Sequence, residues 1–340
     1  MKIGNLIIND KSNTFIIAEI GINHNGSVKM CKKMILEAVK AGADAVKIQF
    51  INHNHSYQKG TKSYSEFKNK SFTFDELKLI KNYAKKLKTI FFATPGDIGS
   101  FYTLVKLGIP LVKISSGLMN NYPLIKLCRE KKLPIIVSTG LALDKDLKEL
   151  KFFLKKYKFK NFSILKCTSE YPAKVEDLNL KKIHEIKKLF KCTVGYSDHF
   201  LDYSACVASV FFGAKIIEKH FTLNKKIKGA DHHISLQPEE FKKMVFDIRN
   251  IEKMLISYES NALLKKIKIN KTKFLRKIVA LKNIKKGETF NLKNIGFLRL
   301  KSNQESLDPK HFFSIEDRQS CFNLKKGTVI TKKHLSKIVK

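Results

Sequence analysis

The chain alternates between short apolar runs and longer amphipathic stretches, and this alternation predicts its secondary structure. β-Branched and aromatic residues dominate the short runs, whereas the stretches between them repeat apolar residues at helical spacing. Eight such runs precede residue 222. They are FIIAEI (15–20), AVKIQF (45–50), TIFFAT (89–94), LVKISS (111–116), PIIVST (134–139), FSILKC (162–167), TVGYSD (193–198) and KIIEKHF (215–221).

Helical segments separate these runs, and two of them begin with recognisable capping residues. Ser27 stands where it can cap the helix after the first run, and Thr73 with Glu76 has the spacing of a capping box. A further helix over 238–257 follows the last run. Eight β–α units in this order favour a closed parallel (β/α)8 barrel, a TIM barrel, over an open doubly wound sheet.

Beyond residue 258 the sequence changes character. A charged stretch over 259–273 predicts a linker, and an internal repeat follows it: NIKKG at 283–287 recurs as NLKKG at 323–327. Each copy lies between a β-like run and the start of a short helix. We therefore predict a barrel domain over 1–258, a linker, and a small β-rich domain over 274–340 with two related halves.

The composition is that of a globular protein with an unusually basic surface. Of 340 residues 43% are hydrophobic, and 66 basic against 30 acidic side chains give a formal charge of +36. Such a charge raises nucleic acid or an anionic membrane as a partner. The lysines are dispersed along amphipathic helices, as in 145–156, and form no arginine-rich block with interleaved aromatics. We therefore expect no nucleic-acid and no membrane partner.

The cysteines and the hydrophobic segments bear on the cellular compartment. The six cysteines form no CxxC pair and are interpreted as buried free thiols, not as disulfides or zinc ligands. No apolar run reaches the length of a signal sequence or the roughly 18 residues of a membrane span. We expect a cytoplasmic protein.

Catalytic groups of a (β/α)8 barrel project from the carboxyl ends of its strands, and the predicted strand ends here are unusually polar. Lysines inside barrel strands are costly unless they are paired or bind an anion. Lys47 and Lys113, with hydroxyl groups nearby, therefore predict a phosphate or carboxylate site. The alternative is a structural ion pair between Glu19 and one of these lysines.

Two histidines end consecutive strands. His199 and His220 are therefore candidates for two neutral nitrogen ligands of one divalent metal, with water, substrate oxygens and Glu19 as candidates for the other positions. A lone histidine at either place would indicate only an ordinary hydrogen-bonded residue. The two neighbouring strand ends together favour a metal site.

Seven motifs in this order resemble those of the sialic acid synthase family, over almost the whole chain. They are AEIGINHNG (18–26), VKIQ (46–49), KISSG (113–117), STG (138–140), CTSEYP (167–172), SDH (197–199) and KHF (219–221). The C-terminal segment, with IVA at 278–280 and the repeated turn, resembles the antifreeze-like (SAF) domain of that family. The resemblance implies condensation of phosphoenolpyruvate with an N-acylated amino sugar of the N-acetylmannosamine type. The products would be a nonulosonic acid and phosphate, with C–O cleavage.

The same resemblance implies roles for individual residues. His199 and His220 match metal ligands, with Mn2+ expected and Mg2+ or Co2+ as alternatives, and Glu19 matches the acidic residue at the reacting centre. The matched substrate-binding positions are Lys47, Gln49, Lys113, Ser116, Ser138, Tyr171, Ser197 and Asp231. A homodimer is also implied, in which the C-terminal domain of one chain covers the barrel mouth of the other and Arg299 reaches its sugar.

Two departures from the family pattern bear on the acceptor. Leu118 stands where sialate-forming members carry an acidic residue, which favours a less hydroxylated sugar such as the 2,4-diacetamido-2,4,6-trideoxyhexoses of legionaminate or pseudaminate synthesis. Arg299-Leu300-Lys301 replaces the Arg-Pro-Gly of the family. A synthase of the octulosonate-phosphate class and a barrel without catalysis remain as alternatives.

Overall fold

A computed structural model describes residues 1–229, 231–255, 260–301, 304 and 306–336. The chain divides into two compact units, Met1–Leu255 and Ile256–Lys340. The predicted domain boundary at residue 258 lies outside the described residues, as do residues 337–340 of the predicted second domain.

Eight parallel strands of the first unit close into a barrel. A short antiparallel hairpin, β1 (Lys2–Ile3) and β2 (Leu6–Ile7), precedes them. The barrel strands are β3 (Phe15–Gly21), β4 (Ala45–Phe50), β5 (Ile90–Pro95), β6 (Val112–Ile114), β7 (Ile135–Ser138), β8 (Phe162–Cys167), β9 (Thr193–Asp198) and β10 (Ile216–His220). Each predicted run overlaps one of these strands, and the predicted (β/α)8 barrel is confirmed.

Helices connect the strands, and the predicted caps form. Ser27 Oγ accepts a hydrogen bond from the Met30 amide at 3.2 Å, and Thr73 and Glu76 make the reciprocal bonds of a capping box. The helices of this unit are α1 (Val28–Lys40), α2 (His53–Ser56), α3 (Lys62–Phe67), α4 (Phe74–Lys86), α5 (Ile98–Leu107), α6 (Tyr122–Glu130), α7 (Asp144–Lys156), α8 (Lys182–Phe190), α9 (Ser204–Phe211) and α10 (Pro238–Met254). The last two residues of the predicted 238–257 helix lie outside the described residues. Across the described parts of the chain, no helix has a stretch long and apolar enough to span a membrane.

The amino end of the barrel is filled with apolar side chains. Alternate residues of each strand face the interior, and the inward residues nearest the strand starts pack into one buried cluster. Its members are Ile3, Ile8, Phe15, Ile17, Ala45, Phe92, Leu111, Ile136, Leu165 and Ile216. Ile3 of the N-terminal hairpin belongs to this floor, so the hairpin packs against the amino end of the barrel.

The second unit begins with an exposed helix and continues as a small β-rich fold. The helix α11 (Asn261–Phe274) occupies most of the predicted linker and has no buried residue, and β11 (Lys277–Ala280) then pairs with β12 (Ile295–Leu298). The two copies of the sequence repeat lie side by side. Ile284 and Leu324 exchange two backbone hydrogen bonds, of 2.8 and 2.7 Å.

Candidate active site

Polar residues occupy the barrel interior one layer above its apolar floor. Ile17, Ala45, Leu111 and Ile216 belong to the floor, and the next inward residue of each strand, two positions later, is charged. These four charged residues are Glu19, Lys47, Lys113 and Glu218. The strand period thus forces two ammonium groups and two carboxylates into one buried layer.

The two lysines of this layer are paired with the two carboxylates. Lys47 Nζ lies 3.0 Å from Glu19 Oε2 and 3.5 Å from Glu218 Oε2, and Lys113 Nζ lies 2.9 Å from Glu218 Oε1. Ser197 Oγ donates to Glu218 Oε1 at 3.0 Å. The predicted lysines therefore do lie together, but each is already paired with a carboxylate of the protein, and the structural ion pair considered as an alternative is present.

The two carboxylates differ in acidity because their surroundings differ. Burial opposes ionisation of Glu218, but the Lys113 and Lys47 ammonium groups outweigh it and lower its pKa to about 2. Burial dominates at Glu19 and raises its pKa to about 7, against the attraction of Lys47 and with added repulsion from Glu218. Glu218 is thus a permanent anion, whereas Glu19 gains and loses a proton near neutral pH.

The predicted metal ligands lie close together at the ends of the neighbouring strands β9 and β10. The ring centroids of His199 and His220 are 5.4 Å apart. His199 Nδ1 lies 2.7 Å from the Thr168 carbonyl oxygen, to which it donates, so its Nε2 is left for another ligand. His220 Nδ1 is buried without a hydrogen-bond partner among the described residues, and it lies 3.8 Å from Asp231 Oδ2.

The absence of a side chain at Gly21 leaves space beside the His220 ring. Gly21 has a φ of +57°, and a Cβ added there would lie 3.2 Å from Asp231 Oδ2, 3.4 Å from Glu19 Oε1 and 3.6 Å from His220 Cε1. The Asp231 and Glu19 carboxylates and the His220 ring border this space, and imidazole nitrogens and carboxylate oxygens are ligands that suit Mn2+, Zn2+ or Co2+. The donor set therefore fits a divalent ion. In the described part of the chain, however, no three His, Cys, Asp or Glu side chains converge as a complete metal site.

The remaining predicted pocket residues lie around this centre. The Tyr171 ring stacks on His199 at 4.0 Å, and Gln49 Nε2 is 3.4 Å from Glu19 Oε1. Ser138 Oγ is buried and has no hydrogen-bond partner within the described residues, and Ser116 Oγ accepts from the Gly140 amide at 2.9 Å. The fold thus gathers all of the predicted barrel residues around one mouth.

Two predicted contributors are placed differently. Leu118 is half-buried and packs against the apolar layer outside the barrel strands, so its side chain is part of the hydrophobic core. Arg299 belongs to the second unit, where it is exposed, donates from Nε to the Phe274 carbonyl and stacks over the Phe274 ring.

Glu218 is a residue to which the sequence analysis assigned no role, although it lies within the eighth apolar run. It contacts both lysines and Ser197, and it balances the charge of the layer. Thr94 was also left without a role, and its Oγ1 accepts from Lys47 Nζ at 3.2 Å. The spacing in the sequence could have revealed both residues, because each follows an inward-facing apolar residue of the floor by two positions.

Comparison with known proteins identifies the family of the chain. Residues 34–260 match the NeuB family. The chain is 38% identical to the N,N'-diacetyllegionaminic acid synthase of Campylobacter jejuni, over 83% of this chain and 89% of that one. It is 34% identical to the pseudaminic acid synthase of the same species, over 97% and 98%. Its fold matches a crystal structure of the N-acetylneuraminic acid synthetase of Leptospira borgpetersenii with a TM-score of 0.74 and 31% identity, over 80% of this chain and 96% of that one. The match to the family and the identity to these relatives, taken with the polar layer in its barrel, establish that the chain belongs to the NeuB family.

Proposed function

We propose that this chain condenses phosphoenolpyruvate with an N-acylated amino sugar to give a nonulosonic acid and inorganic phosphate, with cleavage of the C–O bond of phosphoenolpyruvate. Membership of the NeuB family supports the reaction class. The observation that carries the proposal is the buried layer of Lys47, Lys113, Glu19 and Glu218 below the paired histidines. A phosphate, a carboxylate and an aldehyde all need such groups within one small space.

Lys47 and Lys113 bind the anionic groups of phosphoenolpyruvate in this proposal. Both ammonium groups are buried inside the barrel, and Ser138 adds a buried hydroxyl without a partner in the described residues. Ser116 and Ser197 supply further hydroxyls. The incoming anion competes with Glu19 and Glu218 for the lysines, so binding rearranges an existing network of ion pairs.

His199 and His220 hold the divalent ion, for which we propose Mn2+ first and Mg2+ or Co2+ as alternatives. When bound, such an ion supplies Lewis-acid polarisation of the acceptor's aldehyde oxygen. Gln49, Tyr171 and Asp231 border the same mouth, and we assign them to the acceptor sugar.

Glu19 handles the protons of the reaction. C3 of phosphoenolpyruvate bonds to the aldehyde carbon, whose oxygen takes up a proton, and water adds at C2 with loss of a proton. The C2–O bond then breaks, phosphate leaves, and the 2-keto group forms. A carboxyl group with a pKa of about 7 can donate the first proton and accept the second, and Glu19 is buried beside the reacting centre.

The identity of the acceptor sugar is a separate part of the proposal. Relatives named as legionaminic and as pseudaminic acid synthases match the chain to a similar degree. The half-buried position of Leu118 weakens the argument from that residue. We keep the N-acetylmannosamine type as the general class and the 2,4-diacetamido-2,4,6-trideoxyhexoses as the alternative.

Phosphate release from phosphoenolpyruvate, measured with a panel of acceptors, tests the proposal. The panel contains N-acetylmannosamine, two 2,4-diacetamido-2,4,6-trideoxyhexoses and arabinose 5-phosphate, the last to test the octulosonate-phosphate alternative. With phosphoenolpyruvate carrying 18O in the bridging position, the label should leave with phosphate. Label retained in the keto acid, or turnover with arabinose 5-phosphate alone, would contradict the proposal.

We further propose that the second unit is an SAF domain and that the enzyme is a cytoplasmic homodimer, in which this unit covers the barrel mouth of the partner. The exposed position of Arg299 and the exposed helix α11 support this arrangement. Mixing Arg299→Ala chains with His220→Ala chains tests it. In a swapped heterodimer one mouth carries both defects and the other carries neither, so activity should return. Subunit exchange without recovered activity would exclude a contribution of Arg299 in trans.

A further inference from the structure

Behind the two histidines, on the outer face of the barrel, lies an ion pair that the proposed reaction does not use. Lys219 of β10 and Asp198 of β9 are partners in the strand ladder, with Nζ 2.6 Å from Oδ2. Both side chains are fully buried. Because side chains alternate between faces, the next residues of the two strands, His220 and His199, point into the barrel.

The Asp198 carboxylate is fully engaged by neighbouring groups. Its Oδ1 accepts hydrogen bonds from the Tyr196 hydroxyl at 2.9 Å and from the Phe200 amide at 3.1 Å. Its Oδ2 accepts from Lys219 and from the Cys206 thiol, the latter at 3.4 Å. The carboxylate therefore holds the chain on both sides of His199.

The Lys219 ammonium group reaches from β10 to the turn that follows β9. It donates to Asp198, to the Phe200 carbonyl and to the Asp202 carbonyl, the last at 3.1 Å. These three acceptors match the three N–H groups of a lysine. A side chain of one histidine-bearing strand thus fixes the backbone immediately after the other histidine.

Stability alone is a weak explanation for such a pair. Burying two charges costs much of what their attraction returns, and apolar residues of similar volume often stabilise a core as well or better. A fully satisfied polar network does provide a unique geometry. Here that geometry applies to the two strand ends that carry the imidazoles.

We propose that the Lys219–Asp198 pair is a positioning device that sets the separation and orientation of His199 and His220 for one divalent ion. The inference rests on the proposed metal site. Lys219 and Asp198 form the last residue pair between β9 and β10, on the outer face of the barrel. We infer that this pair determines how tightly the two histidines on the inner face bind the metal. Groups behind metal ligands commonly have this effect, because they orient the ligands.

Mn2+ binding to the whole chain, followed by electron paramagnetic resonance of the free ion without substrates, tests this inference. In Asp198→Asn/Lys219→Met both charges disappear together, so no unpaired charge is left buried. We expect the Kd for Mn2+ to rise about tenfold or more, the range found when groups behind metal ligands are changed. The spectrum of bound Mn2+ should also change, which lost stability alone would not cause.

A second ion pair of the same unit provides the matched control. Arg249 lies 3.1 Å from Asp44, which precedes β4 at the amino end of the barrel, far along the strands from the histidines. Asp44→Asn/Arg249→Met should lower the melting temperature but leave the Kd for Mn2+ within about twofold of the unchanged chain, because distant sites act independently.

If the double variant does not fold, Tyr196→Phe replaces it, since that change removes only the hydroxyl that donates to Asp198. A Kd for Mn2+ that stays within about twofold in a folded variant of the pair overturns the inference. His220→Ala, measured beside it, separates the two proposals. If His220→Ala loses Mn2+ while the pair variants do not, only the positioning role fails, and if His220→Ala binds Mn2+ normally, the metal site itself is wrong.

Discussion

Replacing Glu218 by glutamine should destabilise the ligand-free enzyme, because Glu218 is the anion that balances Lys47 and Lys113. The magnitude follows from its acidity. Lowering the pKa of Glu218 from 4.5 to about 2 corresponds to roughly 3 kcal/mol of favourable interaction between its ionised form and the folded protein. In a unit of this size that loss lowers Tm by about 6–12 °C.

The two carboxylates of the layer make the stability of the folded protein depend on pH in opposite directions. The pKa of Glu218 is depressed, so its stabilisation is complete above pH 4.5 and is lost only as the pH falls through about 2. The pKa of Glu19 is raised to about 7, so the folded protein favours its protonated form and loses stability as the pH rises from about 4.5 through about 7. The two glutamine variants should therefore behave oppositely.

The assay is thermal or urea unfolding with a chelator and without ligands, at pH 5 and at pH 8. Glu218→Gln should be less stable than the unchanged chain by a similar amount at both values. Glu19→Gln is the matched control, since it removes a carboxylate from the same layer. It should gain stability relative to the unchanged chain between pH 5 and pH 8. Shifts of the same sign for both variants at pH 8 would refute the assignment of one permanent and one titrating carboxylate.

Three further outcomes are expected. Removing divalent ions should abolish phosphate release and Mn2+ should restore it, whereas His199→Ala and His220→Ala should each lose Mn2+ binding in a direct titration; normal Mn2+ binding by both would contradict the ligand assignment. Gly21→Ala should lower the free energy of unfolding by about 1–2 kcal/mol because of the φ of +57° at this position. It should also reduce activity by filling the space beside His220. An active variant with unchanged Mn2+ affinity would argue against that space as the reacting centre. Asn283→Ala and Asn323→Ala should each destabilise the second unit by about 1 kcal/mol, because the Oδ1 of each asparagine accepts a 2.9 Å hydrogen bond from a backbone amide of the opposite copy of the repeat. Equal urea midpoints for the variants and the unchanged chain would disprove that role.

Much of the fold follows from local sequence signals. The eight apolar runs, the Ser27 cap and the Thr73–Glu76 box are read from neighbouring residues, and each corresponds to an element of the structure. The limit of this approach appears at 259–273. Its charge predicts a linker but gives no sign of a helix, and Asn261–Phe274 form the helix α11, since lysine, leucine and isoleucine at these positions permit a helix with little burial.

The chemistry of the site divides in the same way. The sequence by itself determined which side chains stand at the strand ends, because the period of two and the barrel architecture direct Glu19, Lys47, Lys113, His199 and His220 to one mouth. Only the tertiary structure decided what those groups do to one another. Glu218 neutralises Lys113 from 105 residues away, and Lys219 reaches Asp198 from 21 residues away. Such pairings depend on the register between strands and on the exclusion of water, and neither is encoded in any local stretch of the sequence. The acidity of the two carboxylates therefore could not be predicted from the sequence.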